Sequence, residues 1–262
     1  MVQKPVIILM IALGITSPAH ALSSPAGTNL VEINHHQAAA TTALIMGDHS
    51  LLEPGNYAVS GHVYLSGWDT DAIYGAWGLS VQTRPWERWG LGLSYGFTDA
   101  QLRTQSWLLN AQFSAMPEPD PWLQFQAAIG HQFLDSSEAG NVLLREFDSS
   151  WPHSSDNPLI LLDDMSWTNL YVSAQAQTML WRFRPQTSLG YVFSYYRWSG
   201  HEVAGYGDIE ASLGTPFASS GTTGTVTWTL GLGLDLGPVR PFAGIKIFSE
   251  GGLFLARMTI VF

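Results

Sequence analysis

Cysteine is absent from all 262 residues. Its absence excludes disulfides, thiolate metal centres, a cysteine nucleophile and a lipid-modified cysteine at a mature N-terminus. Charge is scarce as well: 12% of residues are charged, against roughly 25% in an average soluble domain. The balance runs negative, a formal net charge of −10, which argues against nucleic acid as a partner because phosphate binding needs a basic face. Downstream of the N-terminus no apolar run reaches the ~18 residues that a membrane helix needs. Yet 46% of residues are hydrophobic and 26 are glycine, so Ser, Thr, Gln and Asn carry most of the polarity. Such a chain is either a soluble all-β protein or a transmembrane barrel.

The first residues set the compartment. Lys4, an apolar run from Val6 to Ile15, a break at Pro18 and the small-x-small site Ala19-His20-Ala21 read as a secretory signal over residues 1–21, cleaved after Ala21. Residues 22–56 differ in kind from the alternating segments downstream of them. Their alanine-rich stretch His35 to Met46, closed by Gly47, predicts a short helix with a glycine cap that plugs the lumen or lies in the periplasm.

From Tyr57 to Phe262 the sequence holds ten segments of period-two alternation. The last has Phe254, Ala256, Met258, Ile260 and Phe262 on one face and Leu253, Leu255, Arg257, Thr259 and Val261 on the other. The eighth alternates Val226, Trp228, Leu230, Leu232, Leu234 and Leu236 with Thr227, Thr229, Gly231, Gly233 and Asp235. No outward position carries a charge. A lysine or arginine facing lipid at the midplane costs about 2 to 4 kcal/mol, whereas a lumen tolerates polar groups.

Alternation alone fits a soluble sandwich equally well, and the connections separate the two. Tight, proline-containing turns fall at 83–88, 116–121, 182–186 and 237–240, while long stretches fall at 134–166 and 199–222. Short turns on one side and long loops on the other predict an antiparallel up-and-down barrel of about ten strands, with eight or twelve as alternatives. Trp68, Trp86, Trp89, Trp107, Trp122, Trp167, Trp181 and Trp198 fall at strand ends, where interfacial girdles sit. The expected location is the outer membrane, with long loops outside and the N-terminus in the periplasm.

Pro185 to Tyr191, Gly200-His201-Glu202, Thr229 to Leu234 and Pro241-Phe242-Ala243-Gly244 resemble, in order and spacing, the C-terminal half of an autotransporter-type β-barrel. That resemblance implies an integral outer-membrane barrel. With only residues 22–56 between signal and barrel, a free-standing barrel without a passenger fits better. Phe262 resembles the terminal signal read by the barrel-assembly machinery, which with outer-membrane lipid and lipopolysaccharide makes up the expected partners.

Chemistry-bearing groups are few. Asp69 and Asp71, with His201, Glu202 and Asp208, sit in outer loops where they resemble the acidic residues and Asp/His pair of the omptin surface proteases; solvated loop residues are the competing explanation. His35-His36 would need further ligands to hold a metal; Asp148, Asp163 and Asp164 of the longest loop fit either calcium or lipopolysaccharide-bridging cations or, more often, plain solvation. No catalytic, cofactor or metal site is expected. The predicted lumen wall carries Gln124, Gln126, Gln175 and Gln177, with His62, Asp235, Lys246 and Arg257 as its titratable groups. Two readings stay open: a weakly anion-favouring constriction, or a packed polar network that holds a small barrel shut. The functional expectation is a structural or surface-interaction role without enzymatic activity, with small-solute passage or a small porin-like channel as the alternative and an omptin-like hydrolase as the second.

Overall fold

The computed structural model describes residues 52–68, 75–99, 103–115, 123–137, 139, 142–145, 159–204, 212–248 and 251–262. The signal, the helix expected at His35 to Met46, and loop residues Asp69, Asp71, Asp148 and Asp208 lie outside them. The strands are β1 Tyr57–Trp68, β2 Gly75–Trp86, β3 Trp89–Asp99, β4 Arg103–Ser114, β5 Leu123–Leu134, β6 Val142–Arg145, β7 Leu159–Gln177, β8 Phe183–Ala204, β9 Ser212–Leu234, β10 Val239–Phe248 and β11 Gly251–Val261. Each pairs antiparallel with its neighbours, β1 pairs with β11, and β5 pairs with β7, so ten strands close into a ring. The expected ten-strand up-and-down barrel is what forms. The four-residue β6 stands outside the ring as a short addition to β7.

Alternation sorts side chains by face. Leu79, Val81, Leu93, Leu109, Ile129, Leu170, Val172, Leu189 and Leu232 are exposed on the outer wall. Ser60, Ser80, Gln82, Asn110, Gln112 and Thr229 alternate with that set and are buried within. Such an inside-out pattern would be unstable in water and is what hydrocarbon demands. Aromatic pairs flank the belt: Tyr57 stacks on Phe262 at 5.6 Å and Trp89 meets Phe113 at a tilt at 5.1 Å at one end, and Trp77 meets Phe97 at 4.6 Å at the other.

The end where Tyr57 and Phe262 lie carries the short connections and forms the turn end of the barrel. Two of its hairpins close in the same way. Leu236 pairs with Val239 across Gly237-Pro238, and Leu180 pairs with Phe183 across Trp181-Arg182. Gly237 takes φ 81°, which glycine adopts freely, whereas the equivalent position in the other turn is Trp181 at φ 61°. Trp181 is 78% exposed, with the Arg182 guanidinium 5.3 Å from its ring. This suits an amphipathic ring at a membrane interface.

Two expectations are corrected. The stretches 134–166 and 199–222 are not simply loops: β7, β8 and β9 run 19, 22 and 23 residues, about twice the length of the other barrel strands. Their upper halves continue as a sheet beyond the belt, and Ser/Thr/Gly sequence that reads as loop is strand because each segment pairs with its neighbour. Trp167 and Trp198 do not belong to a girdle, since they point inward and are 0% and 3% exposed. Each shares its strand's inward parity, with Asn169 and Tyr171 in β7 and with Val192 and Ser194 in β8.

The outer wall makes a direct prediction. Leu79, level with Gly61 in mid-strand, should cost about 2 to 4 kcal/mol when replaced by Lys, read as urea-dependent folding into lipid vesicles. The same change at Thr222, exposed on β9 beyond the belt, should cost no lipid-exposure penalty, so equal losses at both positions would contradict the placement of lipid against Leu79.

Candidate functional site

The lumen is the concave space of a barrel, and its wall is set by parity. β1 contributes Ser60 and His62, β4 Asn110 and Gln112, β5 Gln124 and Gln126, β7 Gln175 and Gln177, β10 Lys246 and β11 Arg257, all buried. Small polar side chains on neighbouring strands bond around the ring. Ser60 shares a hydrogen bond with Thr259 at 2.8 Å, His62 Nε2 meets Ser80 Oγ at 2.7 Å, and Gln132 Nε2 donates to Thr104 Oγ1 at 2.6 Å. Gln112 donates to Gln124, and Gln175 donates to both Gln177 and Gln186.

Apolar layers interrupt this polar wall. Tyr64, Ala76, Phe242, Phe248, Leu253 and Leu255 form one buried cluster, and Leu108, Ala128, Tyr171 and Val192 form another. Leu162, Met165, Trp167 and Trp198 are buried where the lumen opens away from the turn end. Bulky inward side chains fit because glycines on adjacent strands make room: a Cβ at Gly190 would lie 2.7 Å from the Tyr171 ring, and Gly231 leaves space for the Phe242 ring. A narrow barrel is thereby filled without widening the ring.

The predicted titratable set is only partly brought together. His62 and Arg257 are directly opposed on β1 and β11. Lys246 is level with Leu253, whereas Arg257 is level with Phe242, a four-residue offset of about 13 Å. The Lys246 ammonium instead lies 5.1 Å from the centre of the Tyr171 ring, and the Arg257 guanidinium 4.9 Å from that of Phe242. Asp235 stands at the turn end, 3.7 Å from Arg184 Nη2 and 3.6 Å from Arg240 Nε. The single constriction pictured from Lys246 and Arg257 is therefore two separate cation–aromatic contacts at different depths.

Two lumen cations were missed by sequence reasoning. Arg84 and Arg184 are buried on the inner face; both looked like turn residues, although parity with Gln82 and Gln186 marks them as inward. Arg84 Nη1 donates to the Leu52 carbonyl at 2.8 Å, and Gly55 N donates back to the Arg84 carbonyl at 2.7 Å. Leu52 is thus buried where the chain crosses to the start of β1. Of the omptin-like set, His201 is bonded to Asp163 at 2.5 Å on the sheet beyond the belt. Asp69, Asp71 and Asp208 lie outside the described residues. Among the described residues no three His, Cys, Asp or Glu side chains gather to hold a metal.

A closed ring, an apolar outer belt and a filled, partly polar interior decide the class. This is an outer-membrane β-barrel fold. No family model matches the chain, and no curated protein matches its sequence. Among solved structures it is similar to the translocator domain of the autotransporter NalP from Neisseria meningitidis, at 9% identity and a TM-score of 0.49, covering 88% of this chain and 96% of that one. It is also similar to the KdgM porin, at 8% identity and TM-score 0.36 over 78% and 99% of the two chains. A third is Ail, the attachment invasion locus protein of Yersinia pestis, at 10% identity and TM-score 0.32 over 80% and 100%. At these identities the likeness is one of fold.

The cation–aromatic contact inside the barrel is measurable. A double-mutant cycle with Lys246→Met and Tyr171→Leu should give a coupling of about 1 to 2 kcal/mol in vesicle unfolding, because the pair is desolvated. Additive effects would mean that the two side chains are merely adjacent.

Proposed function

We propose that the protein is an integral outer-membrane barrel whose role is structural and surface-directed, exercised through the sheet of β7, β8 and β9 rather than through its lumen. In this reading the turn end, with both barrel termini, faces the periplasm, and the long strands rise from the cell surface. The observation that carries it is a contrast within one wall. The interior is filled by Phe242, Leu253, Leu255, Tyr171 and Trp167, while β8 and β9 spend about half their length outside the belt. A channel needs the first of these reversed and has no use for the second.

The test has two arms. In planar bilayers the native chain should be silent, and a Phe242→Ala, Leu253→Ala, Leu255→Ala triple variant should show discrete conductance steps. Steps from the native protein would make small-solute passage the function. In the second arm, residues from Gly200 to Phe217, which face each other across β8 and β9, are replaced by a two-residue turn. The shortened barrel should keep its heat-modifiable migration on a gel, while bacteria displaying it should lose the adhesion to one another or to a coated surface conferred by the full chain. Equal adhesion with and without the native chain would refute a surface role.

Phe262 supports a second element of the proposal, recognition by the assembly machinery. It follows β11 directly with outward parity, and its amide donates to the Tyr57 carbonyl at 3.0 Å. Phe262→Ala removes the ring that stacks on Tyr57, worth about 0.5 to 1.5 kcal/mol beyond area burial. Folding into vesicles should be weakened by that modest amount only, whereas the amount assembled in cells should fall several-fold. Parallel losses in both measurements would reduce Phe262 to a structural contact.

A further inference from the structure

We propose that the outer face of β7, β8 and β9, where the wall leaves the hydrocarbon, holds the headgroup of one zwitterionic phospholipid, with its phosphate on Arg197 and its ammonium on Asp164. These two side chains line one cavity of about 350 Å³ together with Tyr195, Ser199, Ala218 and Ser220. Register accounts for the space. Arg197 is level with Ser220 and Ser199 with Ala218, so small side chains form the β9 side and leave room between the longer ones. Across β7 and β8, Asp164 is level with Ser199 and Ser166 with Arg197. The carboxylate and the guanidinium therefore start from a diagonal, about 7 to 8 Å apart at their backbones. Both residues are exposed, no ion pair joins them, and neither side chain has another hydrogen-bonding or ionic partner among the described residues. Asp163 beside them is engaged by His201 at 2.5 Å, which leaves Asp164 as the uncommitted carboxylate. One charge of each sign, in one cavity and unable to satisfy each other, is the complement of a zwitterion.

The level of the cavity selects the occupant. Just below it the outward Leu170, Phe193 and Val226 are exposed, as contact with acyl chains requires, and Tyr195 brings the amphipathic ring of an interface. A lipid whose chains lie against those residues carries its headgroup into the cavity. Phosphoethanolamine offers a phosphate that the planar guanidinium fork matches and an ammonium whose N–H groups donate to a carboxylate. An anionic headgroup would meet Arg197 equally well but would set its charge against Asp164, and a choline headgroup has no N–H to donate. Each contact at an exposed site is weak. A lipid makes both at once, from the high local concentration of the bilayer. The site depends on the placement of the barrel in a membrane and is independent of what the sheet above it engages.

Native mass spectrometry of the detergent-folded full chain, titrated in turn with phosphatidylethanolamine, phosphatidylglycerol and phosphatidylcholine, tests the site. One phosphatidylethanolamine should be retained several-fold more tightly than either of the other lipids. Arg197→Gln should weaken that binding several-fold, whereas Arg197→Lys should keep the preference. Asp164→Asn should weaken phosphatidylethanolamine and tighten phosphatidylglycerol, because it removes the ammonium's partner and the repulsion of a net negative headgroup together. The order of those two lipids should therefore invert. Should Arg197→Gln fail to reach the heat-modifiable folded form, the inversion in Asp164→Asn carries the test alone. Absence of a singly retained lipid, equal affinity of the native chain for all three, a native preference for phosphatidylglycerol, or an unchanged order in Asp164→Asn would each overturn the site.

Discussion

In hydrocarbon an unpaired backbone N–H or C=O has no water to turn to, and each costs several kcal/mol. The seam between β1 and β11 answers that constraint, pairing Ala58 with Val261 through Leu65 with Phe254. Without it both strands would present open edges to lipid, so ring closure is the condition on which the outer belt depends. The seam is reinforced at its turn end, where Tyr57 stacks on Phe262 and Ser60 bonds Thr259. It also brings His62 opposite Arg257, residues 195 positions apart by their numbers, so the interior polar network is itself a product of closure.

A ring of ten strands is little wider than the eight whose interior side chains alone can fill. The sequence meets that geometry with alternating layers of small polar and large apolar groups. Glycines beneath Tyr171 and Phe242 let large rings lie flat against the wall, and Lys246 is buried against one of those rings. Filling of this kind limits water entry and makes the barrel rigid. The two ends of the barrel differ: the wall continues as sheet on one side, and Arg184 and Arg240 gather around Asp235 on the other.

How much of this the sequence reveals depends on which solvents the two faces of a strand meet. Within the belt one face meets lipid and the other a polar interior, so alternation is strong and the outward sets could be read residue by residue. Above the belt the outward face of β8 and β9 meets water instead of lipid, the contrast weakens, and Ser219-Ser220-Gly221-Thr222-Thr223 carries no periodic signal although it is strand. The apolar layers were hidden for a related reason. Leu108, Ala128 and Val192 follow the inward parity but sit beside an outward apolar residue, so each pair reads as an interruption in the pattern rather than as lumen filling. Arg84 and Arg184 failed through position: a charged residue beside a proline turn looks solvated, and only strict counting from Gln82 and Gln186 points it inward. Of the site groups, His62, Lys246 and Arg257 were legible as inward, while their partners were not, because Tyr171 and Phe242 reach them across the ring and the register rather than along it.

Three features that do not depend on one another place the upper edge of the membrane at the same level. Backbone pairing between β9 and β10 ends at Thr227 with Phe248, so β9 beyond that point has an open edge on its β10 side among the described residues, which water permits and hydrocarbon does not. Outward composition changes at that height: Trp228 and Val226 give way to Gly224, Thr222 and Ser220 on β9, and Leu170 gives way to Thr168 and Ser166 on β7. The outward aromatics Phe193 and Tyr195 of β8 pair with Gly224 and Thr222, just below the charged Arg197, as an interfacial girdle requires. Below this level the wall is committed to lipid and closure. Above it, the β9 segment from Ser212 to Thr225 carries no charged residue, and Pro216, Ala218, Ser220 and Thr222 on it are exposed; an open sheet edge is a template for another strand. The part of the molecule least constrained by the membrane is therefore the part best able to engage something outside it.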